Sequence, residues 1–71
     1  MNGNELLKKL KKLGNQNNIV VRFETKRGKG SHGTLYYDDR KTILKDRKKE
    51  IGPGLLRKIL SELGLDKNDL N

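Results

Sequence analysis

The side chain best suited to chemistry in this sequence is a single histidine. His32 is the only histidine of the chain, and it lies in the run Arg-Gly-Lys-Gly-Ser-His-Gly over residues 27–33. An imidazole accepts and releases a proton near neutral pH, while neighbouring cations and an open glycine backbone can hold a phosphate. The combination indicates metal-independent cleavage of an RNA backbone. The alternative is that His32 is an ordinary surface or packing residue.

A single histidine leaves part of the proton transfer to another group. Attack by a 2′-hydroxyl needs one proton removed and one delivered, so the second role falls to another side chain, to water or to the phosphate itself. Tyr36 is four residues further along the same predicted strand and on the same face, and Tyr37 replaces it if a bulge intervenes. Both tyrosines can equally be structural or stack on bases.

Basic, glycine and serine residues beside His32 are candidate phosphate contacts. Arg27 and Lys29 could stabilise charge on the scissile phosphate, or they could form a solvated hairpin tip. Gly28 and Gly30 could let backbone N–H groups approach a phosphate, or they could serve only the turn. Ser31 could hydrogen-bond phosphate or orient the loop. A later run of cations is the predicted RNA-backbone track, or in part a solvated face: Arg40, Lys41, Lys45, Arg47, Lys48 and Lys49.

Composition limits the classes of function. The chain has 71 residues, enough for one domain over 1–71, and its 17 Lys and Arg against 9 Asp and Glu give a net charge of +8. This charge attracts polyanions, nucleic acid first and an acidic protein second. Without cysteine, and with scattered carboxylates, the sequence predicts no metal site and no cofactor. It carries neither a signal peptide nor an apolar run near the roughly 20 residues of a membrane span, so we expect a cytoplasmic protein without membrane contact.

Two amphipathic helices are predicted, one at each end of the chain. The first covers Asn2–Leu13, with a capping box between Asn2 and Glu5 and a stop at Gly14. The second opens at Gly52-Pro53-Gly54 and stops at Gly64. Apolar side chains recur on one face of each helix, and these are Leu6, Leu7, Leu10 and Leu13 in the first and Leu55, Leu56, Ile59, Leu60 and Leu63 in the second.

Three short strands are predicted between the helices. They cover Ile19–Lys26, Ser31–Tyr37 and Lys41–Asp46, with a hairpin turn at Asp38-Asp39. Alternation assigns Ile19, Val21 and Phe23 to one face of the first strand, and it separates Ser31, Gly33, Leu35 and Tyr37 from His32, Thr34 and Tyr36 in the second. A polar tail that frays is predicted for Asp66–Asn71. The order α-β-β-β-α predicts an α+β fold in which two helices cover one face of a three-stranded antiparallel sheet.

Three stretches of the chain carry a family resemblance. They are Glu-Leu-Leu-Lys-Lys-Leu at 5–10, Gly-Ser-His at 30–32, and Lys-Lys-Glu-Ile…Gly-Leu-Leu-Arg-Lys-Ile-Leu…Leu-Gly-Leu over 48–65. Together they resemble the HicA toxin family over nearly the whole chain. The resemblance implies a small basic mRNA interferase of a bacterial toxin–antitoxin pair, with a double-stranded-RNA-binding-domain-like fold. It also implies a histidine needed for activity, here His32, and a HicB antitoxin that masks it.

The chain departs from the family pattern at two places. Family members often have a second histidine directly after the first, where this chain has Gly33, and many have proline-histidine where this chain has Lys45-Asp46. A mechanism that uses a second histidine therefore does not transfer. We predict a metal-independent endoribonuclease toxin that cuts mRNA with His32 and is held inactive by an antitoxin. The alternatives are a non-catalytic RNA-binding module and a basic protein whose partner is an acidic polypeptide.

Overall fold

Along the chain, one helix precedes and one follows three antiparallel strands, in the order α-β-β-β-α. Both helices pack on the same face of the sheet. The structure is a computed structural model that describes residues 1–25 and 32–70. Its elements are α1 (Gly3–Gln16), β1 (Val21–Thr25), β2 (Gly33–Tyr37), β3 (Arg40–Leu44), α2 (Pro53–Glu62) and a short 3₁₀ helix (Lys67–Leu70). The predicted α+β class and element order are confirmed, and each strand is shorter than the sequence pattern suggested.

Helix α1 begins with the predicted capping box. The Asn2 side chain accepts a hydrogen bond of 2.9 Å from the Glu5 backbone N–H, and the Glu5 carboxylate accepts one of 3.0 Å from the Asn2 N–H. Two backbone donors that the helix cannot pair by itself are thereby satisfied. The backbone N–H of Asn4, in the first turn of α1, donates to the Arg47 carbonyl at 3.1 Å. This bond connects the start of α1 to the segment before α2.

The predicted end of α1 at Gly14 is wrong. The helix continues to Gln16, and the left-handed residue that follows it is Asn18, with a φ of +58°. Gly14 serves close packing instead, because a Cβ at this position would lie 2.7 Å from a methyl carbon of Val21. A glycine that permits close approach has the same sequence signature as a glycine that ends a helix.

The sheet is a simple meander with β2 in the centre. Its strands pair antiparallel in the order β1-β2-β3, and a two-residue turn at Asp38-Asp39, with a φ of +60° at Asp38, joins the last two strands. The predicted alternation is confirmed, because Gly33, Leu35 and Tyr37 are buried beneath the helices while His32 is exposed. Ser31 and Lys26, assigned to strands from the sequence, lie outside the described residues.

Helix α2 packs on the same sheet face as α1, next to β3, whereas α1 lies next to β1. Leu56, Ile59, Leu60 and Leu63 are buried and pack with Leu6, Leu10 and Leu35 in one core. Leu55, predicted on this buried face, is 52% exposed, which corrects that assignment. Gly64, with a φ of +74°, follows the helix as predicted.

The C-terminal residues form an ordered turn rather than the predicted frayed tail. Residues 67–70 are a 3₁₀ helix in which the Asp66 carboxylate accepts from the Asn68 N–H, and the Asp69 carboxylate accepts from the Asp66 N–H, both at 2.8 Å. Leu70 packs against the core. Within residues 1–25 and 32–70, no helix is both long and apolar enough to cross a membrane.

Candidate nucleic-acid interface

His32 is exposed and directly precedes the first residue of the central strand. Because Gly33 points toward the helices, alternation along the strand directs His32 to the opposite side of the sheet. We call this side the open face, and its other residues are Arg22, Glu24, Thr34, Tyr36, Lys41, Ile43 and Lys45. The neighbouring candidates Arg27, Gly28, Lys29, Gly30 and Ser31 lie outside the described residues.

The strand register brings a cation close to the histidine. Gly33 pairs with Leu44 at the end of the β2–β3 ladder, and His32 and Lys45 are the next residues beyond this last pair. Neighbouring strands are about 5 Å apart, so the two chains are still close together where these residues follow the ladder. Lys45 is exposed and makes no ion pair with the described part of the chain. An imidazole and an unpaired ammonium group therefore share the same end of the open face.

The centre of the open face holds an aromatic ring between two cations. The Arg22 guanidinium carbon lies 4.7 Å from the centre of the Tyr36 ring, and the register places Arg22 and Lys41 on either side of Tyr36. Arg22 also lies 3.4 Å from a Glu24 carboxylate oxygen. Arg22 was not among the sequence candidates. Its alternation with Val21 and Phe23 signalled an outward direction, but only the register reveals that it meets Tyr36.

The two candidate tyrosines have different surroundings. Tyr37 is only 5% exposed and belongs to the core, facing the helices. Tyr36 is half-buried on the open face. Four strand steps place its Cα about 13 Å from that of His32, too far for direct proton exchange between the two side chains. The geometry therefore favours a stacking role for Tyr36 and a structural role for Tyr37.

Gly33 has no room for a side chain on the helix side of the sheet. A Cβ there would lie 2.6 Å from Phe23 Cζ and would also meet the carbonyl oxygen of Glu24. Real Cβ atoms do not approach non-bonded heavy atoms this closely, so any side chain at this position forces Phe23 or the β1 backbone to move. A second histidine directly after His32 is therefore incompatible with the position of Phe23.

The predicted track of cations divides between two sides of the molecule. Arg47 is half-buried, with its guanidinium carbon 4.7 Å from the centre of the Phe23 ring and its Nε buried without a hydrogen-bond partner. Arg40 lies against Gly64, at the end of α2. Lys45, Lys48 and Lys49 are exposed. These three lysines continue from the His32 end of the open face into the loop before α2.

Among residues 1–25 and 32–70, no three histidine, cysteine or acidic side chains come together as metal ligands. The Asp46 side chain accepts a hydrogen bond of 3.2 Å from the Lys48 N–H. The exposed charged groups at this end of the sheet that the structure describes are several ammonium groups beside the imidazole, together with the Glu24 carboxylate, which lies 3.4 Å from Arg22.

Comparison with known proteins assigns the chain to a family. A family model described as the HicA toxin of bacterial toxin–antitoxin systems matches residues 3–65. No curated protein and no solved structure matches the chain. The family match covers both helices, all three strands and the histidine segment, which is most of the chain. The chain belongs to the HicA toxin family.

Proposed function

We propose that this toxin is a metal-independent endoribonuclease, an mRNA interferase, that cuts mRNA in the cytoplasm with His32. The observation that carries the proposal is the exposed imidazole at the end of the open face, beside Lys45 and continuous with the Arg22–Tyr36 pair. Cations, an aromatic ring and one proton-transfer group on a single uncovered surface suit the backbone and bases of an open RNA strand. The α-β-β-β-α order supports the double-stranded-RNA-binding-domain-like architecture that the family resemblance implied.

In this mechanism, His32 exchanges a proton with the reacting oxygens. The 2′-oxygen of a ribose attacks the adjacent phosphorus and the 5′-oxygen of the next nucleotide leaves, so one proton is removed and one is delivered. His32 performs one of these transfers, and water or the phosphate performs the other. Lys45 stabilises the charge that develops on the phosphate oxygens. Tyr36 stacks on a base of another nucleotide of the RNA, because its Cα is about 13 Å from that of His32.

The test is cleavage of labelled RNA in the presence of EDTA. We expect the wild-type chain to cut, and His32→Ala to lose cleavage while its RNA affinity stays within about threefold, because the imidazole transfers protons rather than anchors the strand. Asn15→Ala, an exposed change at the far end of α1, is the matched control and should cut normally. Cleavage at the wild-type rate by His32→Ala would remove His32 from the mechanism.

The Arg22–Tyr36 pair also favours a second candidate function, that of a non-catalytic RNA-binding module. An aromatic ring with an arginine over it binds bases without any chemical step. The same experiment separates the two functions. Tight RNA binding by the wild-type chain without cleavage would establish the binding module and reject the interferase.

We further propose that a HicB-type antitoxin controls the toxin by covering His32. The membership in a toxin–antitoxin family supports a protein partner, and the net charge of +8 favours an acidic one. An exposed catalytic group at the edge of a flat face can be blocked by any protein surface placed over it. Binding also stabilises the small toxin domain, since only the folded chain binds the partner.

A further inference from the structure

A groove of about 400 Å³ runs along the free edge of β3, between this strand and α2. Ile43 and Leu44 both line it, although they point to opposite faces of the sheet, so the groove follows the strand edge itself. Two of its apolar side chains are largely exposed, Ile43 at 61% and Leu55 at 52%. Large exposed apolar side chains placed together in one groove are typical of an interaction surface.

The edge of β3 offers unpaired backbone groups in a strand-like pattern. The Tyr37–Arg40 pair flanks the two-residue turn and is therefore hydrogen-bonded, and the same pattern recurs at Leu35–Thr42 and Gly33–Leu44. The N–H and C=O groups of Lys41 and Ile43 consequently point away from β2. No described strand pairs with this side of β3. An added extended segment can use these groups as the next rung of the sheet.

Three lysines and three acidic residues line the groove. Of the acidic residues, Glu50 is paired with the Met1 amino group, whereas Glu62 accepts a hydrogen bond from the Thr42 hydroxyl at 2.7 Å and Asp46 accepts one from a backbone N–H. The basic residues on the groove are Lys45, Lys49 and Lys58, and none forms an ion pair within residues 1–25 and 32–70. A second copy of this chain, itself at +8, would be repelled.

We infer that the antitoxin inserts an extended, acidic segment into this groove and adds it to β3 as a fourth strand. This inference rests on the proposed antitoxin control and names the surface that such control uses. Apolar side chains of the segment lie between Ile43 and Leu55, and its carboxylates meet Lys45, Lys49 and Lys58. A strand added to β3 has β3 between itself and β2, which His32 precedes, and the groove residues Ile43, Leu44 and Lys45 place it at the same end of the sheet as the histidine.

The test compares two substitutions of exposed apolar residues by lysine. Ile43→Lys places a charge in the groove. Val20→Lys places the same charge at the opposite edge of the sheet, where Val20 is 71% exposed. We expect Ile43→Lys to weaken binding of the purified antitoxin by about tenfold or more, and Val20→Lys to leave binding unchanged. Leu55→Lys should act as Ile43→Lys does. Circular dichroism and thermal unfolding establish that each variant is folded before affinity is compared.

Hydrogen exchange of the wild-type complex provides the second readout. The Lys41 and Ile43 amides should exchange rapidly in the free toxin and become protected in the complex. The groove inference is overturned if the complex suppresses cleavage and protects His32 from modification, yet leaves these amides unprotected and Ile43→Lys binds the antitoxin normally. Antitoxin control would still stand in that case. If the antitoxin does not bind the wild-type toxin, both fail, and RNA cleavage by the free chain remains a separate test of the nuclease.

Discussion

The ring of Phe23 occupies the space that a side chain at Gly33 would need. A Cβ at Gly33 would lie 2.6 Å from Phe23 Cζ, and the Arg47 guanidinium lies against the same ring. The residue next to His32 is thus fixed by packing between β1, β2 and the loop before α2. The position of the histidine depends on an apolar contact on the opposite face of the sheet.

Gly33→Ala should destabilise the fold and reduce cleavage. The added methyl group forces Phe23 and the β1 backbone to move, which we expect to lower the free energy of unfolding by about 1–3 kcal/mol. Gly54→Ala is the matched control, because nothing lies within 4 Å of a Cβ there and alanine is favoured in the helix. Urea unfolding measures both variants. Equal stability of the two would contradict the packing argument.

Tyr36 should contribute to RNA affinity through its ring rather than its hydroxyl. Tyr36→Ala removes the stacking surface and should weaken binding of single-stranded RNA by about 1–3 kcal/mol. Tyr36→Phe keeps the ring beneath Arg22 and should bind almost as the wild type does. Fluorescence anisotropy with labelled RNA measures both affinities. A large loss in Tyr36→Phe would mean that the hydroxyl, and not stacking, carries the interaction.

Replacing Lys45, Lys48 and Lys49 by glutamine should weaken RNA binding for all sequences and flatten its dependence on salt. Each lost phosphate contact lowers the log–log salt slope by about 0.7 for a single strand. Lys8, Lys9 and Lys12, on the exposed side of α1, provide the control triple substitution with the same change in charge. An unchanged slope in the first variant would make its lysines an ordinary solvated surface. Arg47 is left intact because its replacement would also disturb Phe23.

His32 should lose its reactivity when the antitoxin binds. Diethyl pyrocarbonate modifies exposed imidazoles, and His32 is exposed in the free toxin and is its only histidine. We expect the modification to be much slower in the complex, as followed by absorbance and by mass spectrometry of the toxin chain. An inhibited complex in which His32 reacts as fast as in the free toxin would indicate inhibition at a distance instead of masking.

Local patterns in the sequence predicted most of the elements. The capping box at Asn2, the alternation of β2, the Asp38-Asp39 turn and the glycine after α2 depend on neighbours a few residues away, and all are confirmed. Gly14 was interpreted wrongly because its role is a contact with residues that follow the helix. A propensity for ending helices and a need for close packing both select glycine, and the sequence does not distinguish them.

The parts of the site that depend on register could not be predicted. The sequence indicated His32 as a candidate from its type and setting, but the meeting of Arg22 with Tyr36 requires the pairing of β1 with β2. The separation of Arg47 from the exposed lysines depends on its contact with Phe23. Leu55 belongs to the predicted apolar stripe of α2 but is 52% exposed, because the stripe is wider than the surface that the helix buries.

The small size of the open face limits how much RNA sequence the proposed nuclease can recognise. Each strand has five residues, so the described strands of this face extend about 17 Å, the length of a few nucleotides. Each base contact discriminates against a wrong base by about 1–3 kcal/mol, so contacts with a few nucleotides exclude few mRNAs. A recognition sequence of a few nucleotides recurs in almost every transcript. For the endoribonuclease that we propose, the dimensions of the sheet therefore predict cleavage of many mRNAs rather than of a chosen few.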